Sequence, residues 1–530
     1  MIYEELDIYD YKELQKKYNL ETIAAKVLAS KHFSEQMCIQ ILNQNVSTTD
    51  FNLHFLDTII ERLQQAKVNN EKIMICGDYD CDGICATTIL YDSLTRFGCQ
   101  CGYYIPDRFK EGYGVNLATI KAAIEKGYKI LITVDNGVKA TKELQYAKEH
   151  GITVILSDHH SYDEQDLVYD YFLHPNVLEP FYAKLCGAGL AYLLSKRLIG
   201  NDSYHTVLAC IATIGDMVGV LDANRVIIKE GIQLLKQMDF PPITLLSDTS
   251  NHWDSTKIAF QIVPKLNCLG RLADKANVNT LVRYLLMNDY DILAKTATQI
   301  QRLNEIRKKI SSKNENLALQ QVDENQSFII VCNHDFHEGL NGVVAAKISK
   351  KYQRPVMVLS QNGDILKGSI RSVGIDISTF FDEFKERLLS FGGHKQAAGI
   401  ALHKSVLNDL ITYSQLKCDK EFQEEHQTYI SLKTEDISLK EIVSLQTLEP
   451  FGVDFEKPKF LIKDSELEIS TMSNGLHLKF VSPTMEYLYF QHGYLLNELA
   501  NRPLSFIGEL GINVFRNKKS INMMVDDVLK

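Results

Sequence analysis

Between residues 73 and 156 four short apolar runs, 73–76, 103–105, 130–134 and 152–156, are separated by longer stretches, two of which, 117–125 and 142–150, read as helices. Each run is bounded by polar or glycine residues, as strands are, and strands that alternate with helices predict a parallel, doubly wound sheet. An open sheet of that kind gathers its functional groups at the carboxyl ends of its strands. Beyond the first run stands Gly77-Asp78-Tyr79-Asp80-Cys81-Asp82-Gly83, beyond the third Asp135-Asn136-Gly137, and beyond the fourth Ser157-Asp158-His159-His160. Three separate strands thereby deliver carboxylates and imidazoles to one edge.

Alternating aspartates at a strand end build a core badly and hold a cation well. Divalent magnesium and manganese prefer hard oxygen ligands, and manganese tolerates imidazole better. Asp78, Asp80, Asp82, Asp135, His159 and Asp216, the last following an apolar run from Val207, offer five carboxylates and a ring nitrogen. That is more than one ion can use. Two ions about 3.5–4 Å apart could use them all, make a nucleophile from water and stabilise an in-line displacement at phosphorus.

Taken singly, the parts are weaker. Residues 78–82 could be a plain acidic turn, and Asp135 before Asn136-Gly137 is good turn chemistry. A calcium loop would need a glutamate about six residues beyond its glycine, where this chain has Ile84-Cys85-Ala86-Thr87-Thr88-Ile89-Leu90. Adjacent imidazoles behind an apolar strand are hard to place in a core, and the combination carries the reading.

A chain of 530 residues exceeds one core, so two to four domains are expected. Residues 1–70 read as a helical, polar lead-in, 71–230 as the parallel-sheet domain, and 231–325 as a helical region ending in a long polar helix over 291–321. Within that region Pro264-Lys265-Leu266-Asn267-Cys268-Leu269-Gly270-Arg271 is expected to break the helical pattern. A second, smaller α/β unit spans 326–425 and contains 391–399, expected as a glycine-rich loop suited to close approach of an anion. From 430 to 530, strand-like runs with turn signals at Asn474-Gly475 and Arg516-Asn517-Lys518-Lys519 predict a small all-β barrel, of which the oligonucleotide-binding fold is one kind.

The net charge of −10 argues against whole-surface attraction to nucleic acid but leaves room for a local basic groove. Eleven scattered cysteines without a C-x-x-C pair fit a reducing cytosol. The acidic opening Met1-Ile2-Tyr3-Glu4-Glu5-Leu6-Asp7 is unlike a signal peptide, and no apolar run is long enough to cross a bilayer. A cytoplasmic protein without membrane contact is expected.

These motifs, in this order, resemble the DHH phosphoesterases, named for the triplet Asp158-His159-His160, and within them the bacterial exonucleases specific for single strands. The resemblance covers nearly the whole chain. It implies a DHH catalytic domain joined by a long helix to a smaller α/β DHHA1 domain, followed by an all-β OB-like barrel. It implies two Mn2+ or Mg2+ ions held by Asp80, Asp82, Asp135, His159 and Asp216 with Asp78 close by, Asp158 in support, and His160 as a proton donor. Cys76 stands where many family members carry a metal-binding histidine, which makes Asp78 the nearest substitute. Ser369 and Arg371 resemble the family's pocket for a 5′ end, with Arg108 and Arg271 as further cations, and His394 beside Gly392 and Gly393 would contact phosphate.

The function implied is 5′ to 3′ hydrolysis of single-stranded DNA with release of 5′-mononucleotides, in repair and recombination. Its partners would be a helicase and a single-strand-binding protein, and the chain is expected to be a monomer. The barrel aromatics Phe480, Tyr487, Tyr489 and Phe490 are candidates for base stacking, although alternating aromatics more often fill a core. Two alternatives stand beside this reading. One is a DHH phosphodiesterase of dinucleotides or short oligonucleotides, which would need neither barrel nor long helix. The other is an inactive nucleic-acid-binding scaffold, against which the intact acidic and histidine motifs argue.

Overall fold

The computed structural model describes residues 2–44, 46–248, 252–421, 426–500, 503–515 and 518–529. Its chain forms two compact units, one of Met1–Val46, Gly219–Arg225 and His426–Lys530, the other of Ser47–Val218 and Val226–Glu425. The smaller unit opens on a short strand, Ile2–Glu5 (β1), where a helical lead-in was expected.

The larger unit contains two five-stranded sheets. The first consists of Lys72–Cys76 (β2), Gln100–Tyr104 (β3), Tyr128–Val134 (β4), Thr153–Ser157 (β5) and Tyr171–Leu173 (β6), in the order β3-β2-β4-β5-β6 with every pair parallel. All four predicted strands are present, and the three-residue β6 adds an edge that its length hid. Both faces are covered, as a parallel sheet requires. Met74, Leu131, Val154 and Leu156 pack with Ile120 and Leu144 of the helices Leu117–Glu125 and Thr141–Glu149, while Ile73, Ile75, Ile130 and Ile132 on the opposite face are fully buried.

The second sheet consists of Ile329–Asn333 (β7), Val356–Asn362 (β8), Ile365–Arg371 (β9), Ser390–His394 (β10) and Ala397–His403 (β11), in the order β10-β11-β9-β8-β7. Only β7 and β8 run parallel. The 30-residue helix Tyr290–Leu319 leads into it, and Ala318 near the helix end joins the core of Ile329, Val331, Val344, Ile348, Val356 and Val358. Two expectations need correction here. The glycine-rich stretch 391–399 is a paired hairpin, β10 with β11, rather than a loop. Residues 264–271 do not break the helical pattern but belong to a helix, Val263–Arg271, that runs on directly from a π-helical turn over Ile258–Ile262, and this wider turn just before Pro264 accommodates its ring and missing N–H.

The smaller unit carries an eight-stranded sheet. Its strands are β1, His426–Leu432 (β12), Phe460–Asp464 (β13), Glu468–Met472 (β14), His477–Val481 (β15), Glu486–Tyr489 (β16), Leu504–Phe515 (β17) and Lys518–Leu529 (β18), in the order β1-β12-β13-β17-β18-β16-β15-β14. Asn474 and Gly475 form the β14–β15 turn with positive φ angles of 58° and 86°. Arg516 and Asn517 of the other expected turn lie outside the described residues, and Lys518 and Lys519 belong to β18. Three of the four candidate stacking aromatics, Phe480, Tyr487 and Tyr489, fill the core, whereas Phe490 is 41% exposed. The buried Arg225 guanidinium donates to the carbonyls of Ile41, Leu448, Glu449 and Pro450, tying the three segments of this unit together. No described helix in either unit is long and apolar enough to cross a membrane.

Candidate active site

The helix Cys81–Phe97 starts just beyond β2, and its cap is the acidic stretch itself. Asp80 Oδ1 accepts from the N–H groups of Asp82 (2.9 Å) and Gly83 (3.1 Å), satisfying donors that a helix start leaves unpaired. A Cβ at Gly83 would lie 2.6 Å from the Asp78 carbonyl oxygen, so this turn closes only on glycine. The two oxygens of Asp82 accept from the N–H groups of Gly187 (2.6 Å) and Ala188 (2.7 Å) at the start of the helix Gly187–Ile199. Backbone dipoles at a helix N-terminus thereby partner that buried carboxylate.

Asp135 follows β4 with φ at 62°, a left-handed conformation that aspartate tolerates better than most residues. Behind it the Asn136 amide donates to the carbonyls of Cys76 and Val134 and accepts from Val115 N–H, clipping two strand ends to the neighbouring loop. Asp216 arrives differently, at the C-terminal end of the helix Ser203–Gly215. Three carboxylates from separate parts of the chain converge on His159, whose Nε2 lies 3.1 Å from Asp135, 3.6 Å from Asp216 and 3.7 Å from Asp82. Asp78, Asp80 and Asp135 offer ligand atoms within 4.8 Å of one another, and so do Asp82, His159 and Asp216.

This donor set fits divalent cations. Asp78 Oδ1 is buried with no hydrogen-bond partner. Burial first, and neighbouring carboxylate charge second, push Asp78, Asp135 and Asp216 well above the usual carboxylate range and raise Asp80 as well. Crowded, desolvated carboxylates of this kind are relieved by a bound cation. Cys76 takes no part in either group. Its side chain is 1% exposed in the apolar cluster with Met74, Leu131 and Leu156, and burial pushes its thiol up to about 12. The carboxylates therefore stand without a sulfur ligand, as the substitution at that position led one to expect.

Asp158 is fully engaged. Its Oδ1 accepts from His159 N–H (2.7 Å), His160 N–H (3.2 Å) and His160 Nδ1 (2.7 Å), and its Oδ2 accepts from Val138 N–H (3.0 Å). Burial opposes charge on both partners, yet their hydrogen bond prevails, holding Asp158 below and His160 above their ordinary values. His160 thus keeps its Nδ1 proton on Asp158 and presents the other side of its ring.

Across a cleft of about 810 Å³ stands the second sheet. Ser369 and Arg371 on β9, Gly392, Gly393 and His394 on β10, and Arg108 all line this cleft together with Asp158 and His160. The His394 and His160 rings stack at 5.8 Å and 16°. A Cβ at Gly342, in the first turn of the helix Asn341–Tyr352, would lie 2.8 Å from Arg371 Nη2, so the guanidinium rests against a helix start. A Cβ at Gly392 would meet nothing within 4 Å, which leaves that stretch of hairpin open to a ligand. Arg271 lies behind the lining. Burial first, then the charges of Arg108, Arg307 and Arg371, lower its guanidinium to about 10. These cations are gathered where an anion would relieve their repulsion.

The residues named from the sequence for metal and phosphate thus occupy the two faces of one cleft or their immediate support, whereas the barrel aromatics belong to the other unit. Sequence reasoning missed three. Tyr113, between Gly112 and Gly114 with φ of 86° and 71°, donates to the Asp135 carbonyl (3.0 Å) and packs edge-on to His160. Arg307 looks like any other cation of a long polar helix. Asn267, whose Oδ1 accepts from Cys81 N–H (2.8 Å), braces the acidic turn from the segment taken for a break. The paired glycines around Tyr113 were the one local signal among them.

Comparison with known proteins agrees with this architecture. Residues 72–215 match the DHH family, N-terminal domain, residues 325–416 the DHHA1 domain, and residues 430–527 the RecJ OB domain. The single-stranded-DNA-specific exonuclease RecJ of Bacillus subtilis is 30% identical, with 97% of this chain and 69% of that protein covered. Its counterpart in Haemophilus influenzae is 28% identical over 89% of this chain and 90% of its own length. The crystal structure of RecJ in complex with Mn2+ from Thermus thermophilus superposes with a TM-score of 0.87 at 23% identity, covering 100% of this chain and 79% of that one. Domain content, site geometry and sequence agree that this chain belongs to the RecJ family.

Proposed function

We propose that the chain is a metal-dependent exonuclease that hydrolyses single-stranded DNA from its 5′ end and releases 5′-mononucleotides. The observation that carries this is the facing of two opposite surfaces across one cleft, buried carboxylates with His159 on one side and arginines with an open glycine hairpin on the other. Asp78, Asp80, Asp82, Asp135, His159 and Asp216 would hold two divalent ions, Mn2+ or Mg2+. When bound, these would make water a nucleophile at neutral pH and offset charge on the phosphoryl oxygens.

The chain's own residues do the rest. Arg371 and Arg108, with Ser369, bind the 5′ phosphate by forked, charge-assisted hydrogen bonds. Gly392 and Gly393 let the backbone approach, and His394 contacts the neighbouring phosphate. His160, kept protonated by Asp158, donates its Nε2 proton to the departing 3′ oxygen. The narrow cleft between the two sheets admits one strand. Eleven free cysteines suit a reducing cytoplasm, and exposed single strands there, opened by a helicase and covered by a single-strand-binding protein, are the setting this reading gives a monomeric enzyme.

The test is a time course on 5′- and 3′-labelled single and duplex DNA with Mn2+ or Mg2+. Early release of labelled mononucleotide from 5′-labelled single strands is expected. Release from the 3′ end, or equal attack on duplex, would refute the reading. A dinucleotide cleaved faster than a long strand would favour the small-substrate alternative.

A further inference from the structure

The catalytic cleft is not a blind pocket. It adjoins a second groove of about 290 Å³, and among the described residues the two share Tyr79 and Arg108 alone. Those side chains form one partition, with the Arg108 guanidinium 5.0 Å above the centre of the Tyr79 ring. The second groove in turn shares Tyr104, Asn277 and Asn279 with a third hollow of about 600 Å³, which ends on Tyr91, Tyr103 and Arg283. Three hollows therefore lie in series, the second and third on the far side of the cations read above as the 5′-phosphate pocket.

The chemistry of this series is that of a nucleotide site. Tyr91 and Tyr103 meet edge to face at 4.9 Å, and tyrosine faces accept any base. Lys110, Lys275 and Arg283 are exposed along it, local cations in a chain whose net charge is −10. Asp107 and Asp274 lie near the two lysines and leave Arg283 as the cation of this stretch without a carboxylate ion pair among the described residues. The asparagine amides serve the fold instead, since Asn279 bonds both the N–H (2.9 Å) and the carbonyl (2.8 Å) of Ile105.

We propose that Tyr79 and Arg108 form a length-setting partition, and that the groove beyond them binds one further nucleotide when a strand's 5′ phosphate is esterified rather than terminal. The inference rests on the exonuclease reading. With a free 5′ phosphate the strand stops at the partition and one nucleotide is released. With an esterified one the additional residue passes into the groove. Water then attacks the next phosphorus, the P–O3′ bond breaks, the 3′ oxygen leaves with a proton, and the phosphate stays on the remaining strand.

The experiment uses the full chain with Mn2+ and two single strands of one sequence. One ends in a 5′ phosphate and the other is capped by an extra nucleoside through a 5′–5′ phosphodiester. Wild type should cut both, releasing a mononucleotide from the first and a 5′–5′-linked dinucleoside monophosphate from the second, as read by mass spectrometry. The double variant Lys275→Ala, Arg283→Ala should lower kcat/KM on the capped strand about tenfold or more and on the phosphate-ended strand less than twofold, which also reports correct folding. The proposal is overturned if wild type cuts the phosphate-ended strand but leaves the capped one intact, or if the variant slows both equally. Failure of wild type on both strands would instead overturn the exonuclease reading on which it rests.

Discussion

The two faces of the cleft are built on opposite plans. On the DHH side, Asp78, Asp82, Asp135 and Asp158 are at most 3% exposed, rigidly held by caps, helix starts and strand ends. On the DHHA1 side, Arg371 and Gly393 are only half-buried and Gly392 and His394 are exposed. Burial first, and nearby like charge second, raise the carboxyls on one face and lower the guanidinium of Arg371 and the imidazole of His394 on the other. The difference lies in what each awaits. A deep, rigid acidic face suits small ions that stay. A shallow basic one suits a polyanion that must enter, move by one residue and leave.

This contrast is tested hardest at Asp135, where both ligand groups meet His159. Asp135→Asn should lower kcat by about 10³-fold or more, measured with saturating Mn2+. The same variant should melt higher than wild type without metal. Asp135 has a folded-state pKa above its unfolded value, so its stabilising contribution is complete at acid pH and is lost as pH rises through the folded value. Metal-free wild type should therefore lose thermal stability towards neutral pH, and the variant should lose less.

Asp158→Asn probes the support behind His160 on the acidic face. It removes the partner that holds His160 up, so a group needed in its protonated form would deprotonate at lower pH. The alkaline limb of the kcat profile should move to lower pH, with about a 10²-fold loss above it. The smallest expected effect is on the basic face. Arg371→Ala should weaken kcat/KM on a 5′-phosphorylated strand by about 10-fold, consistent with one charge-assisted hydrogen bond. It should also flatten the dependence of log K on log salt by about 0.7, as one phosphate contact on a single strand does.

Most of the acidic face was legible in the sequence because each part is local. An apolar run followed at once by aspartate or histidine places the residue at a strand end whatever the rest of the chain does. The basic face was less legible. Arg307 and Asn267 act through packing against residues distant in the chain, and nothing in their neighbours marks them. Pro264 and the glycines of 391–399 misled for a common reason. Proline and glycine signal a break only where the regular N–H ladder or a side chain is needed, and a helix widened by a π turn or an open hairpin needs neither. In the barrel, Tyr487 and Phe480 show that alternation reports burial and not base stacking.

The order of synthesis bears hardest on the smaller unit. β1 pairs with β12, so Ile2 meets His426, 424 residues later, and Arg225 waits for the carbonyls of residues 448–450. At about 5–20 residues per second, the first strand leaves the ribosome roughly 20–85 s before its partner. The segment made first is thus completed last, while the catalytic unit has everything it needs by residue 425. A message truncated before residue 426 would leave β1 without its partner strand, an unpaired edge of the kind that recruits other chains.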